Sequence, residues 1–203
     1  MGAGVIPFSV HDKEIYFLFQ TVFSGRKKGF FIDFGGGQDE SETYQDTAAR
    51  EFVEETETMF FSSNDAEIKI AQRTPERISH HMTLITQCFN QTLSAHPDWW
   101  CRREPGNKIP PKDWKTFFIE VPYRDLTSIN REWKLEDNIN SRFKKRRKLH
   151  WLEADYLLDI YDSQAEKLWK RVRQLVNAEE VIQSIKQAKR QPPQCSGELE
   201  INI

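Results

Sequence analysis

Glu51, Glu54 and Glu55 stand at positions i, i+3 and i+4. On a helix this spacing projects all three carboxylates from one face and leaves Ala49, Phe52 and Val53 largely on the other. Three like charges this close repel, at about 0.2–0.5 kcal/mol per pair on a helix surface. A divalent cation removes that penalty, and hard oxygen donors at this density suit Mg²⁺ or Mn²⁺ far better than zinc. From the three acids alone, a solvated acidic face is the commoner outcome. The flanking residues favour chemistry. Gly35-Gly36-Gly37 precedes the helix and lets backbone come close to a metal and a phosphate. Arg50 sits beside the carboxylates and can pin the glycine loop to the helix through an acid. Glu42, eight residues upstream, is its natural partner.

Gly36, five residues, Glu42, seven residues, then Arg50-Glu51-Phe52-x-Glu54-Glu55 resembles the Nudix box. Two positions depart from that box. Glu57 stands where it has glycine, and Thr58 where it has an apolar residue. Both fall past the three acids, so they bear on the helix end more than on the metal face. The order of elements over about residues 3 to 190 is also similar to that family. The resemblance implies an α+β fold, an α/β/α sandwich with a mixed β-sheet. It implies hydrolysis of a phosphoanhydride in a nucleoside diphosphate linked to another moiety, by metal-activated water. Carried over by position, Glu51, Glu54 and Glu55 are ligands of Mg²⁺ or Mn²⁺, with a backbone carbonyl of Gly36 or Gly35 beside them. Glu54, Glu55 and Arg50 serve catalysis, and Glu42 holds the loop–helix geometry. The family often adds an acid from a later loop. Glu136 is favoured over Glu132, Asp137 and, within a strand pattern, Glu120.

Two basic segments frame this stretch. Arg26, Lys27 and Lys28 lie just before the glycines, and residues 142–148 hold six cations in seven positions. A solvated face is the plain explanation. The functional one is a clamp for substrate phosphates, with Arg26, Lys28, Arg146 and Arg147 as contacts. The expected partner is a phosphorylated, nucleotide-derived small molecule, with RNA the less favoured one. An alternative substrate is a more highly charged one, such as a diphosphoinositol polyphosphate or a 5′-capped RNA. A non-catalytic nucleotide-binding regulatory module is a further alternative.

The chain that must position these groups has 203 residues, of which 38% are hydrophobic and 30% charged. Its formal charge is −2, and its mean hydropathy is −0.70. The 12% of aromatic residues can supply a core, which excludes a disordered chain. No apolar run approaches the length of a membrane span. The first residues lack the basic and apolar regions of a signal peptide, and three cysteines without a CxxC suit a reducing compartment. A cytoplasmic protein is therefore expected, without membrane contact.

Val5–Val10 and Ile15–Phe19 predict a β-hairpin, and Phe30–Phe34 a short strand. Thr43–Thr58 predicts the acidic helix. Further strands are expected at Glu67–Ala71, Met82–Asn90 and Trp114–Pro122, around a long loop over residues 94–113. Trp99, Trp100 and Trp114 should pack that loop against the sheet rather than stack on a base. His80-His81 and the set Cys88, His96 and Cys101 lack metal-site spacing. A helix over Gln164–Lys189 should pack on the core or form a homodimer interface. Residues 1–190 are expected to form one domain and 191–203 a flexible tail.

Overall fold

A computed structural model describes residues 1–104, 113–135, 143 and 145–190. Strands β1 (Gly2–His11) and β2 (Glu14–Val22) form the expected hairpin. Asp12 and Lys13 both adopt positive φ, the two-residue turn whose twist matches that of paired strands. A short strand β3 (Phe34–Gly37) follows, then helix α1 (Tyr44–Glu55). Thr43 starts α1 with a capping box: its hydroxyl accepts from Asp46 N, and the Asp46 carboxylate accepts from Thr43 N. Next come α2 (Asp65–Lys69), α3 (Pro75–Ala95), β4 (Trp100–Arg102), β5 (Trp114–Glu120) and α4 (Thr127–Leu135). The described chain ends with β6 (Arg147–Glu153), α5 (Ala154–Ser163), a 3₁₀ turn at Ala165–Lys167, α6 (Lys170–Arg173) and α7 (Ala178–Arg190).

The sheet order is β4-β5-β1-β2-β6, with β3 on β1. It is mixed, because β1 runs parallel to β5 and antiparallel to β2 and β3. Both faces are covered, so the architecture is an α/β/α sandwich. Val5 and Leu18 face a core closed by α1, α3 and α4, which includes Phe52, Ile85, Phe89 and Trp133. Ile6, Phe17 and Phe19 face the opposite core, closed by Leu157 of α5, Val172 of α6 and Ile182 of α7. Alternation along a strand buried on both sides explains why β1 is apolar on both faces.

One feature of the sheet positions everything that follows. β1 changes partner along its length. It pairs with β3 through Gly2–Val5 and with β2 through Phe8–His11. The sheet therefore forks near Ile6 and Pro7, and α1 lies over the side that holds β3.

Five sequence expectations are corrected. The strand expected at Phe30–Phe34 begins only at Phe34 and runs through the glycines to Gly37. Residues 67–71 lie mostly in α2, and 82–90 lie inside the 21-residue α3. Thr74 caps α3 and Pro75 occupies its first turn, which is a helix start rather than a strand boundary. The proposed loop over 94–113 contains strand β4, and residues 105–112 of it lie outside the described part. The helix expected over Gln164–Lys189 is three pieces, the 3₁₀ turn, α6 and α7, with Asn177 at φ 61° just before the last. Trp99 and Trp114 are buried as expected, while Trp100 is half-buried beneath the Lys115 ammonium. The expected tail over 191–203 lies outside the described residues. No described helix is long and apolar enough to cross a membrane.

Candidate functional site

α1 presses its acidic face against the glycine strand. A Cβ placed on Gly36 would fall 2.0 Å from Glu51 Oε1 and displace that carboxylate, whereas one on Gly35 would fall 2.4 Å from the Ala3 carbonyl oxygen, so the close pairing of β3 with β1 requires glycine at Gly35. Gly4, the partner of Gly35 in β1, is similarly required: a Cβ there would meet Asp33 Oδ2 at 2.5 Å.

Arg50 and Glu42 form the expected clamp. Arg50 Nε donates to Glu42 Oε1 at 2.6 Å and Nη2 to Oε2 at 3.1 Å, a two-point pairing. Nη2 also donates to the Gly37 carbonyl at 2.9 Å, which ties β3 to α1. Asp39 N and the Thr47 hydroxyl donate to the same carboxylate. The Arg50 hydrogen bond is the main reason the Glu42 carboxyl is held down to about 2, and the Arg50 guanidinium is raised in turn.

The three helix glutamates are not equivalent. Glu51 accepts from Arg50 Nη1 at 3.1 Å, and its pKa is raised, first by burial and then by the neighbouring Glu55. Glu55 is held from three directions. Gln20 Nε2 donates to it at 2.6 Å and Gly35 N at 3.1 Å, and Arg147 Nη2 lies 3.3 Å away. Glu54 is the most open of the three, with its nearest cations 3.7 and 3.8 Å away on Arg50 and Arg73. Among the described residues, no three acidic, histidine or cysteine side chains are already drawn together around one point.

A polar plug fills the sheet fork behind these acids, and sequence reasoning missed it. Asp33 is fully buried, and Arg171 of α6 lies against it with Nη2 2.7 Å from Asp33 Oδ1. Arg171 Nη1 donates to the Gly35 carbonyl at 3.0 Å, and its guanidinium stacks 4.2 Å over the Trp114 ring. Gln20 donates to the Asp33 carbonyl and accepts from Arg147 Nη1 at 2.8 Å. Asp33 and Arg171 lie 138 positions apart, so no local spacing announces the pair. The one available signal was Asp33, an acid inside an aromatic run.

The departures at the helix end have a structural answer. Glu57 N donates to Glu54 O and Thr58 N to Val53 O, the paired hydrogen bonds of a Schellman ending. Glu57 occupies the left-handed position that glycine usually takes, at φ 52°. Its buried carboxylate accepts from Arg73 Nε at 2.9 Å. Thr58 Oγ1 accepts from Arg77 Nε at 3.0 Å. Two arginines thus hold the turn that the substitutions would otherwise loosen.

The other expected residues are distributed as follows. Arg26 and Lys28 are exposed on the loop after β2. Arg147 is buried, with its guanidinium on Glu55 and Gln20 rather than open to solvent. Arg146 Nε donates to the Trp133 carbonyl at 2.8 Å at the end of α4. Glu132 is buried in α4, and Glu136 and Asp137 lie outside the described residues. Glu120 pairs with Lys189 of α7 at 2.6 Å. It lies five residues farther along β5 than Lys115, which shares a register with Ala3 and Gly36, a separation of roughly 17 Å.

No family model matches the chain. A 63-residue stretch is 47% identical to the uncharacterized protein L534 of Acanthamoeba polyphaga mimivirus. That stretch is 30% of this chain, and the chain spans about 20% of the length of that curated relative. Among solved structures, an Ap4A hydrolase binary complex from C. elegans aligns over 93% of this chain and 97% of that one, at 13% identity and a TM-score of 0.42. The Nudix hydrolase RenU of M. Smegmatis aligns over 91% and 87%, at 14% identity and 0.41. A mutT/nudix family protein from Listeria innocua aligns over 92% and 91%, at 13% identity and 0.40.

Proposed function

We propose that the chain hydrolyses a phosphoanhydride bond in a nucleoside diphosphate linked to another moiety, with Mg²⁺ or Mn²⁺ bound at α1. The observation that carries this reading is the contact of Glu51 with Gly36, clamped by Arg50 and Glu42. It sets three carboxylates of one helix against a strand of three glycines, with the Arg50 guanidinium joining the two.

The donor chemistry fits a hard divalent cation: Glu51, Glu54, Glu55 and the Gly36 carbonyl offer oxygen only. The Gly35 carbonyl already accepts from Arg171, so Gly36 is the better backbone candidate. Bound there, such a cation would neutralise phosphate charge and lower the pKa of water. The residues of the chain supply the rest. Arg50 holds Glu51 and the strand in register. Gln20, Gly35 N and Arg147 orient Glu55. Glu54, the least engaged acid, is placed to take a proton from the attacking water. The water oxygen forms a new bond to phosphorus, the bridging phosphorus–oxygen bond breaks, and the oxygen of the leaving phosphate keeps the bonding pair. Arg26, Lys28 and Arg146 are the proposed contacts for substrate phosphates outside the carboxylate face, while Arg147 is turned inward and reaches a substrate only through Glu55. Glu136 is kept as the proposed loop acid.

The test is product release from nucleotide sugars, ADP-ribose, dinucleoside polyphosphates and nucleoside triphosphates, with Mg²⁺ and with Mn²⁺. Turnover should vanish with chelator and in Glu54→Gln. Turnover retained in that variant would remove the assignment. Tight nucleotide binding without turnover would favour the regulatory module.

A further inference from the structure

The loop joining β2 to β3 alternates cations with aromatic rings, and its neighbours continue the pattern. Phe23 is 46% exposed, and the Arg146 guanidinium lies 5.5 Å from its ring centre. Trp169 is half-buried, with Arg26 at 5.9 Å and Lys27 at 5.8 Å from its ring. Backbone pairing makes these one surface. Trp169 N donates to the Phe31 carbonyl and Phe31 N to that of Lys167, while Lys28 bridges Val22 and Lys148 lies opposite Thr21.

The surface adjoins the carboxylate helix through β2 and β6: Gln20, next to Thr21, donates to Glu55 at 2.6 Å, and Arg147, between Arg146 and Lys148, lies 3.3 Å from the same carboxylate. Arg26, Lys28 and Lys148 form no ion pair among the described residues, and all three are exposed. Cations left unneutralised on one side of a chain of net charge −2 mark a polyanion surface.

We propose that this surface binds a single strand of nucleic acid and brings its phosphorylated end to the α1 carboxylates. The proposal rests on the reading above only in taking that end as what the carboxylates receive. Two ring platforms, each flanked by cations, suit successive bases with phosphates between them. An inositol polyphosphate would use the cations and leave the rings idle. A duplex keeps its bases stacked on one another and unavailable to Phe23 and Trp169.

The experiment is fluorescence anisotropy of a labelled ten-nucleotide single-stranded RNA with full-length Glu54→Gln protein, without divalent metal. Binding should weaken with salt at a slope of about −0.7 per phosphate contacted. Trp169→Ala should weaken it about 5- to 100-fold, within the range of one lost base stack. The exposed pair Lys28→Gln/Lys148→Gln, which removes no buried contact, should flatten the salt slope by about 1.4. No strand binding at low salt would overturn the proposal. So would displacement by inositol hexakisphosphate, or by a duplex of the same sequence, equal to that by unlabelled strand. Absent strand binding with Glu54-dependent hydrolysis of small nucleotides would sink this proposal alone. Strand binding in a chain that hydrolyses nothing would sink the hydrolase reading and leave the surface.

Discussion

Glu54 and Glu55 are adjacent in sequence and held differently, and that difference is measurable. Glu55 is tied to Gln20, Gly35 N and Arg147, whereas Glu54 meets only distant cations. Both Gln variants should lose at least about 100-fold in kcat, the usual scale for removing a positioned acid or base. Only Glu55→Gln should also lower the melting temperature, because it leaves buried Arg147 without its carboxylate. Equal melting of the two variants would contradict the asymmetry. Glu42 gives a prediction in pH. Its folded pKa of about 2 lies below the ordinary 4.5, so the unfolded chain takes up the proton first on acidification. The Glu42–Arg50 contribution is therefore complete above about pH 4.5 and is lost as pH falls towards 2. Glu42→Gln should cost about 2 kcal/mol at neutral pH, the scale of a charge-assisted hydrogen bond. Denaturant midpoints of the variant and parent should converge near pH 2.

The end of α1 shows how one element absorbs an unfavourable residue. A glycine at position 57 would relieve roughly 1 kcal/mol of left-handed strain. It would also leave half-buried Arg73 without the Glu57 carboxylate, and removing one partner of a buried pair costs about 3–5 kcal/mol. Glu57→Gly should therefore lower stability by denaturant unfolding, and Glu57→Gly/Arg73→Leu should recover part of the loss. In α3, His81 is buried and Nδ1 finds no hydrogen-bond partner among the described residues. Burial, with Arg77 beside it, lowers its pKa to about 4. The unfolded chain binds this proton near 6.5, so its penalty is absent above that pH and grows as pH falls to about 4. His81→Phe should flatten the loss of urea resistance between pH 7 and 4.5. This helix also shows where sequence reasoning stopped. Thr83, Ile85 and Thr86 carry strand preference, and they obscured the buried series His81, Ile85, Phe89 and Thr92 at helical spacing. α1 was legible because its acids, its apolar face and its flanking glycines all agree. The hairpin and β5 were legible because their apolar runs end at turn residues. The basic run 142–148 was legible as charge, but one-dimensional spacing hid that Arg147 turns inward to Glu55 while Lys148 turns out.

Across the whole molecule, the site depends on the fork in β1 and on the charges that fill it. Asp33 has no exposure and lies against Arg171 from α6. Arg171→Met should cost about 3–5 kcal/mol, because it strands a buried carboxylate, and calorimetry should show the loss. Asp33→Asn/Arg171→Met should be less destabilised than the single variant. The plug lies between two apolar cores, and the pairing of Asp33 with Arg171, with the arginine's further bonds to the Asp33 and Gly35 carbonyls, offsets its desolvation. The separation of Asp33 from Arg171 also has a consequence in time. The proposed metal ligands are all made by residue 55, yet Arg171, the brace for the Gly35 carbonyl, comes 136 residues after that glycine. On the ribosome, the acidic helix and glycine strand must wait through the synthesis of most of the chain before their geometry locks. A nascent chain stalled before residue 171 would carry every proposed ligand on α1 and still lack a finished site.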